Sequence, residues 1–311
     1  MTMVNSGNYD RLYASGGTVT ATSDGFSMSG QRPRATRVAL SVDIGGTFTD
    51  AVVEDGDQYH TVKVLTTPRD PSAGFVTGAL RALGVANRKP EDVRIVMHGT
   101  TLATNAILER RGAKTGFLTT EGFRDVLDIG DEGRHDQYDL FLEKTKALIP
   151  RQLRLTVRQR HRYDGSELQS LHEEDVKKAA VEFRAAGVES IAVGFMHSHV
   201  NNTHEERAAT ILRTELPGVH VCTSSSVCPE IREYERFSTV AANAYVQPLM
   251  TNYLSQVTRR LEEVGIKCPM LIMTSGGGLT DLWTAASLPV RLIESGPAGG
   301  VMLAEWAAKE V

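Results

Sequence analysis

From Val38 onward the chain alternates short β-branched apolar runs with glycine or charged breaks. Runs at 38–43, 50–54 and 59–65 have the length and composition of strands, and the tight breaks between them predict antiparallel pairing. A helical period follows at 72–84, then a strand at 93–98, a helix at 101–111 and a strand at 114–119. Strands that alternate with helices bury their apolar faces as a layered α/β domain, expected here over residues 37–150. A second α/β region is expected over 151–290. It opens with a strand near 155–162, the turn Asp164-Gly165 and a helix over 173–186 stopped by Ala186-Gly187. A strand at 189–196, a helix at 203–215 and a strand at 219–223 lead into a long helical stretch, 229–264, which Pro248 is expected to kink or divide. The strand Met270 to Met273, a glycine turn at 276–278 and a helix after Pro297 complete the pattern, residues 291–311 beginning a further unit.

Before Val38 the pattern is absent. Residues 1–36 are rich in Ser, Gly, Thr and Asn and have no apolar period, so they predict a disordered leader. Asp10 and Asp24 argue against a transit peptide despite Arg32 and Arg34.

Composition narrows the function classes. A hydrophobic content of 41% in 311 residues supplies a sizeable core, and a net charge of -4 gives no basic footprint for nucleic acid. The apolar runs fall far short of the roughly 20 residues that a membrane helix needs. Three cysteines, an odd number, build no disulfide framework and fit a reducing cytoplasm.

The sharpest chemistry lies between the first two strands, in Asp43-Ile44-Gly45-Gly46-Thr47-Phe48-Thr49-Asp50. Two glycines let backbone N–H groups approach phosphate oxygens, and Thr47 and Thr49 offer hydroxyl donors. Asp43 can hold the water shell of a Mg²⁺ ion. The spacing is that of neither a dinucleotide fingerprint nor a Walker loop. A simple hairpin, with the hydroxyls satisfying local backbone, is the competing reading.

Four segments together resemble the A-type subunit of the hydantoinase/oxoprolinase family: Val42 to Val53, His98-Gly99-Thr100-Thr101-Leu102-Ala103-Thr104-Asn105-Ala106, Pro229 to Arg236, and Glu294-Ser295-Gly296-Pro297-Ala298-Gly299-Gly300. The resemblance is collinear from about Arg37 to the last residue. It implies an actin/hexokinase-like (ASKHA) ATPase fold, here an N-terminal half carrying an inserted α/β subdomain, with ATP and Mg²⁺ as cofactors. It further implies a B-type companion subunit and a small cyclic amide (hydantoin, 5-oxoproline, lactam) or ketone as substrate. ATP would phosphorylate the oxygen of that unreactive group for hydrolysis or carboxylation. In the resembled family a second Asp-x-Gly-Gly-Thr loop follows the Ser-Gly-Pro-Ala-Gly-Gly segment. This chain stops at Val311, so the nucleotide site is expected to be incomplete without the second half of the fold. A non-catalytic scaffold or assembly subunit of the same descent is the alternative.

Within this resemblance Asp43, Asp50 and His98 are the expected catalytic residues, with phosphate held by Asp43, Gly45, Gly46, Thr47 and Thr49. His98, Gly99, Thr100, Thr101 and Asn105 are expected to face the substrate, since they run from a strand end into a helix N-terminus that favours anions. Thr100 or Thr101 could instead only cap that helix. The glycine turns at Gly276 and Gly277, and at Gly296, Gly299 and Gly300, either line the cleft or serve tight turning. His197, His199 and His204 are expected to hydrogen-bond at a strand-to-helix turn rather than to bind metal. The charged run Glu230 to Arg236 reads as a solvated helix face or a contact between domains.

Overall fold

The computed structural model describes residues 37–310, except 132, 134, 135, 137, 142 and 144, together with the short paired segments Ala21–Thr22 and Gly25–Phe26. The expected leader 1–36 therefore lies almost wholly outside the described residues.

In chain order the strands are β1 (Val38–Ile44), β2 (Phe48–Asp55) and β3 (Gln58–Leu65), followed by helix α1 (Pro71–Val85) and strand β4 (Val93–Thr100). Helix α2 (Leu102–Leu108), β5 (Thr115–Thr120), β6 (Arg154–Val157), β7 (Arg160–His161) and β8 (Glu167–Gln169) come next. Helix α3 (Glu173–Ala186), β9 (Ser190–Gly194), α4 (Thr203–Glu215), β10 (His220–Thr223) and α5 (Glu233–Glu263) lead to β11 (Met270–Met273), β12 (Leu279–Asp281) and α6 (Ser295–Glu310). Local signals explain several ends. Asp70 caps α1 by accepting from Ala73 N at 3.2 Å, with Pro71 at the first helical position. Gly187 ends α3 in the left-handed conformation, φ 65°.

Two sheets organise these elements. The larger runs β12-β11-β4-β1-β2-β3, with β1, β2 and β3 antiparallel and β4 parallel to both β1 and β11. The smaller, β10-β9-β5-β6, is wholly parallel. All strands of the smaller sheet fall between β4 and β11, so it is an insertion into the larger unit. The sheets do not part at Pro150: β5 already belongs to the smaller sheet, and β11 and β12 return to the larger.

Helix α5 joins the two cores. Its 31 residues span about 46 Å. Phe237, Val240, Ala241 and Ala244 pack in the core of the smaller sheet, whereas Tyr245, Val246, Met250, Tyr253, Leu254 and Val257 pack with α1 under the larger. Pro248 does not divide it; the helix runs unbroken, and the carbonyl of nearby Tyr245 accepts from Ala113 N at 2.8 Å.

The charged run at the start of α5 is not a solvated face throughout, because Arg236 is wholly buried. Its Nε donates to Ser224 Oγ at 3.1 Å, Nη1 to Glu230 O at 2.8 Å and Nη2 to Phe195 O at 3.1 Å. Glu205, equally buried, accepts from Phe195 N, Ser224 Oγ and Ser225 N. This network ties the end of β9, the start of α4 and the start of α5 together through Ser224.

Candidate functional site

Strand parity decides what each candidate can touch. Val42, Ile44, Ala51 and Val53 are buried on the side covered by α1 and α5. Alternate residues point the other way. Ladder pairing sets Gly99, Asp43, Asp50 and Lys63 side by side across β4, β1, β2 and β3 on that second face.

A Cβ at Gly99 would lie 2.7 Å from Asp43 Oδ1, so only glycine allows the carboxylate to rest against β4. Solvent reaches Asp43 from the open side, yet the surrounding strands remove enough water to raise its carboxyl above the ordinary value. Asp50 pushes in the same direction, and Lys63 opposes it. Lys63 pairs with Asp50 at 2.7 Å, and among the described residues Asp43 has no ion pair of its own. Two carboxylates on one face give a divalent ion a place to relieve their repulsion, so the donor set fits Mg²⁺ held through water at Asp43.

The loop beside them is a tight turn. Gly45 N–H donates to Phe48 O at 2.9 Å, and Thr47 O accepts from Thr66 N at 2.9 Å. The N–H groups of Gly46 and Thr47 have no protein acceptor among the described residues. Gly46 is exposed, and the atom nearest to a Cβ there would be Asn105 Nδ2 at 3.9 Å. Free N–H groups in an open turn beside Asp43 have the geometry that can accept an anion.

Thr49 is not part of that open turn. It shares parity with Ala51 and Val53, is fully buried, and exchanges a hydrogen bond with the Thr66 hydroxyl, which itself donates to Gly45 O at 2.9 Å. Thr49 supports the loop from beneath. The alternation of Thr49, Ala51 and Val53 already carried that signal.

His98 also lies on the covered face, opposite to Asp43. It pairs with Val42 in the ladder and is buried. Nδ1–H donates to Val42 O at 2.9 Å, which leaves Nε2 to accept from the Tyr253 hydroxyl at 2.8 Å. The Phe75 ring stands edge-on at 4.9 Å. His98 is a core histidine that locks α5 to the sheet and does not reach a reacting group, contrary to the expected catalytic role. Burial lowers its pKa to about 4. The stability that neutral His98 confers is therefore fully present above about pH 6.5 and lost as the pH falls toward 4, a change of about 3 kcal/mol. Urea unfolding is expected to show a smaller loss between pH 7 and 4.5 for His98→Gln than for the parent, and equal losses would refute the buried neutral ring.

The corner after β4 is built by other residues. Thr100 Oγ1 accepts from Leu102 N at 3.2 Å, a local turn contact rather than a ligand group. Thr101, at the cap position of α2, donates its N–H to Ile44 O at 3.2 Å and accepts from Asn105 Nδ2 at 3.2 Å. The segment before α6 docks here: Glu294 N donates to Thr104 Oγ1 at 3.0 Å, Ser295 Oγ donates to Thr100 O at 3.3 Å, and a Cβ at Gly296 would lie 3.8 Å from Thr101 Cγ2. Glu294 adopts φ 64°, a strained conformation for a residue with a side chain. Asp43, Gly46, Gly99, Thr101, Asn105 and Gly296 therefore converge.

The remaining glycines serve packing. Gly276 and Gly277 form the turn between β11 and β12, and Gly277 has φ 79°. A Cβ at Gly277 would meet Met302 Sδ, and one at Gly299 would meet Met273 Sδ, each at 3.1 Å, so these glycines let α6 sit on that hairpin. Gly300 has no atom within 4 Å of a Cβ position.

The three histidines of 197–204 scatter. His197 and His199 lie near Glu233 and Arg236, while His204 turns to Gln159 and Glu167. Burial pushes the Cys222 thiol up to about 12 and Cys268 to about 11, so neither is a nucleophile. No helix among the described residues is long and apolar enough to cross a membrane.

Comparison with known proteins identifies the family. Residues 39–216 match the hydantoinase/oxoprolinase N-terminal region, and residues 236–311 match hydantoinase/oxoprolinase. The chain belongs to the hydantoinase/oxoprolinase family. It is 35% identical over 266 residues to caprolactamase subunit alpha of Pseudomonas jessenii, covering 83% of this chain and 38% of the relative. It is 33% identical to the acetophenone carboxylase gamma subunit of Aromatoleum aromaticum, covering 88% and 39%. The nucleotide-free structure of acetone carboxylase superposes with a TM-score of 0.79 at 25% identity, covering 88% of this chain and 41% of that one. The fold is thus the α/β fold of the actin-like ATPases, and the chain spans about two fifths of the length of these relatives.

Proposed function

We propose that this chain supplies the phosphate-loop half of an ATP-dependent enzyme that activates a cyclic amide or a ketone by phosphorylating its oxygen. The observation that carries the reading is the open turn at Gly46 and Thr47, with two N–H groups beside Asp43 that have no acceptor among the described residues. Gly46 and Thr47 would hold phosphate oxygens, and Asp43 would orient the water shell of Mg²⁺, whose charge offsets that of the phosphates. Asp50 and Lys63 form an ion pair that holds the neighbouring charge fixed. The chemical need is plain: amide resonance makes a ring carbonyl a poor electrophile, and a phosphorylated oxygen is a good leaving group. For a ketone, phosphorylating the enol oxygen captures the carbon nucleophile that meets carbon dioxide. The names of the caprolactamase and acetophenone carboxylase relatives support both substrate classes.

The loop offers one wall. A cavity lined by Leu261, Ile266, Cys268, Met270 and Leu282 shares no residue with it. Holding a γ-phosphoryl group in line takes donors from an opposing wall, which the remainder of the A-type fold and a B-type companion would supply. The purified chain is therefore expected to release no phosphate from ATP by itself. The assembly with its companion subunits is expected to do so in the presence of Mg²⁺ and one member of a panel of hydantoins, lactams and aryl ketones, and to lose that release in Asp43→Ala. Robust Mg²⁺-dependent turnover by the chain alone would refute the one-walled site. An assembly indifferent to every panel member, or to Asp43→Ala, would favour a scaffold.

A further inference from the structure

We propose that His161, Glu167 and His204 bind a divalent transition ion of the zinc type, at a site separate from the phosphate loop. His161 and Glu167 face each other across the β7–β8 hairpin, and His204 is the second residue of α4. One donor atom from each lies within 4.8 Å of the other two. The two imidazoles stack with centroids 4.0 Å apart and planes 20° apart, both buried, while half of the Glu167 side chain is exposed.

The surrounding hydrogen bonds orient the set. Gln159 Nε2 donates to the Thr120 hydroxyl, so Gln159 Oε1 accepts from His204 Nδ1–H at 3.1 Å. That turns His204 Nε2 toward Glu167 Oε2, at 2.9 Å. A proton shared across that distance satisfies the pair in the metal-free chain, and a divalent ion would take the place of that proton. Histidine ligands held through their other nitrogen are the usual support of a metal centre. Two imidazoles and one carboxylate suit Zn²⁺ or Co²⁺ and are too poor in oxygen for Mg²⁺ or Ca²⁺. The exposed side of Glu167 leaves the fourth position to water. The ion pins the β7–β8 hairpin, which belongs to neither main sheet, onto the start of α4.

The test is Co²⁺ titration of the whole chain after chelator treatment, read by visible absorption and calorimetry. One equivalent is expected to bind with the absorption of a four-coordinate site and to be displaced by Zn²⁺. Glu167→Gln, an exposed change that leaves the core intact, is expected to weaken binding about a hundredfold, as is His204→Gln. His199→Gln is the control among the nine histidines and is expected to bind as the parent does. Zn²⁺ is expected to raise the melting temperature of the parent and not of Glu167→Gln. Absence of binding tighter than millimolar would reduce the trio to a His204–Glu167 ion pair. Equal affinity in the parent and Glu167→Gln would assign the metal to other histidines. Either result overturns the site.

Discussion

Gly46→Val is expected to abolish nucleotide binding by the assembled enzyme while leaving the chain folded. The expectation that it folds follows from local space: a Cβ at position 46 has nothing nearer than Asn105 Nδ2 at 3.9 Å, and the residue is exposed. Its φ is not in the left-handed region, so a branched residue adds no backbone strain there. The loss of binding follows from the same geometry. The space that the isopropyl group occupies is the space through which a phosphate oxygen must come to reach the N–H groups of Gly46 and Thr47. Calorimetry with Mg²⁺ and ATP is expected to show affinity reduced by about a hundredfold or more, since several charge-assisted hydrogen bonds are lost together. Unchanged affinity would remove the phosphate assignment. A lowered melting temperature with unchanged affinity would make the two glycines a simple hairpin.

Arg236→Met is expected to destabilise the chain by about 3–5 kcal/mol, the usual cost of removing one charge from a buried hydrogen-bonded network. Methionine fills the volume, but the carbonyls of Phe195 and Glu230 lose their donors. Glu233, paired with Arg236 at 3.3 Å, loses its cation, and Ser224 is no longer held by Arg236 Nε. Urea unfolding measures the loss. Glu205→Gln is expected to cost less in that background than in the parent, because both side chains bond Ser224 Oγ. A loss below about 1 kcal/mol, or strict additivity of the two changes, would show that Arg236 and Glu205 act independently.

Part of the site is legible in strand alternation. Parity along Phe48 to Val53 puts Thr49 with the apolar set and Asp50 with the open one, which distinguishes support from ligand. No such signal existed for His98: Val93 to Met97 is apolar at four of five positions, so alternation in β4 could not say which face the ring takes. Arg236 was hidden for a related reason. Its neighbours Glu230, Arg232, Glu233 and Glu235 are charged, and a helix surface of that composition is ordinarily solvated. Only the arrival of β9 and Ser224 at the same point gives the guanidinium enough acceptors to be buried.

The sequence by itself determined the elements, because apolar periodicity, caps and glycine stops act over a few residues; the limits of α4 and β11 were read to the residue. It also determined the family, through motifs spread over most of the chain. The tertiary structure alone decided which strands share a sheet, since β5 leaves the first sheet and β11 returns to it across more than a hundred residues. It decided as well that His98 supports the core while Asp43 and Gly46 face solvent, and that His161, Glu167 and His204 meet. Those outcomes depend on contacts between segments far apart in the chain, and local patterns carry no record of which distant segment will complete a hydrogen-bonding shell.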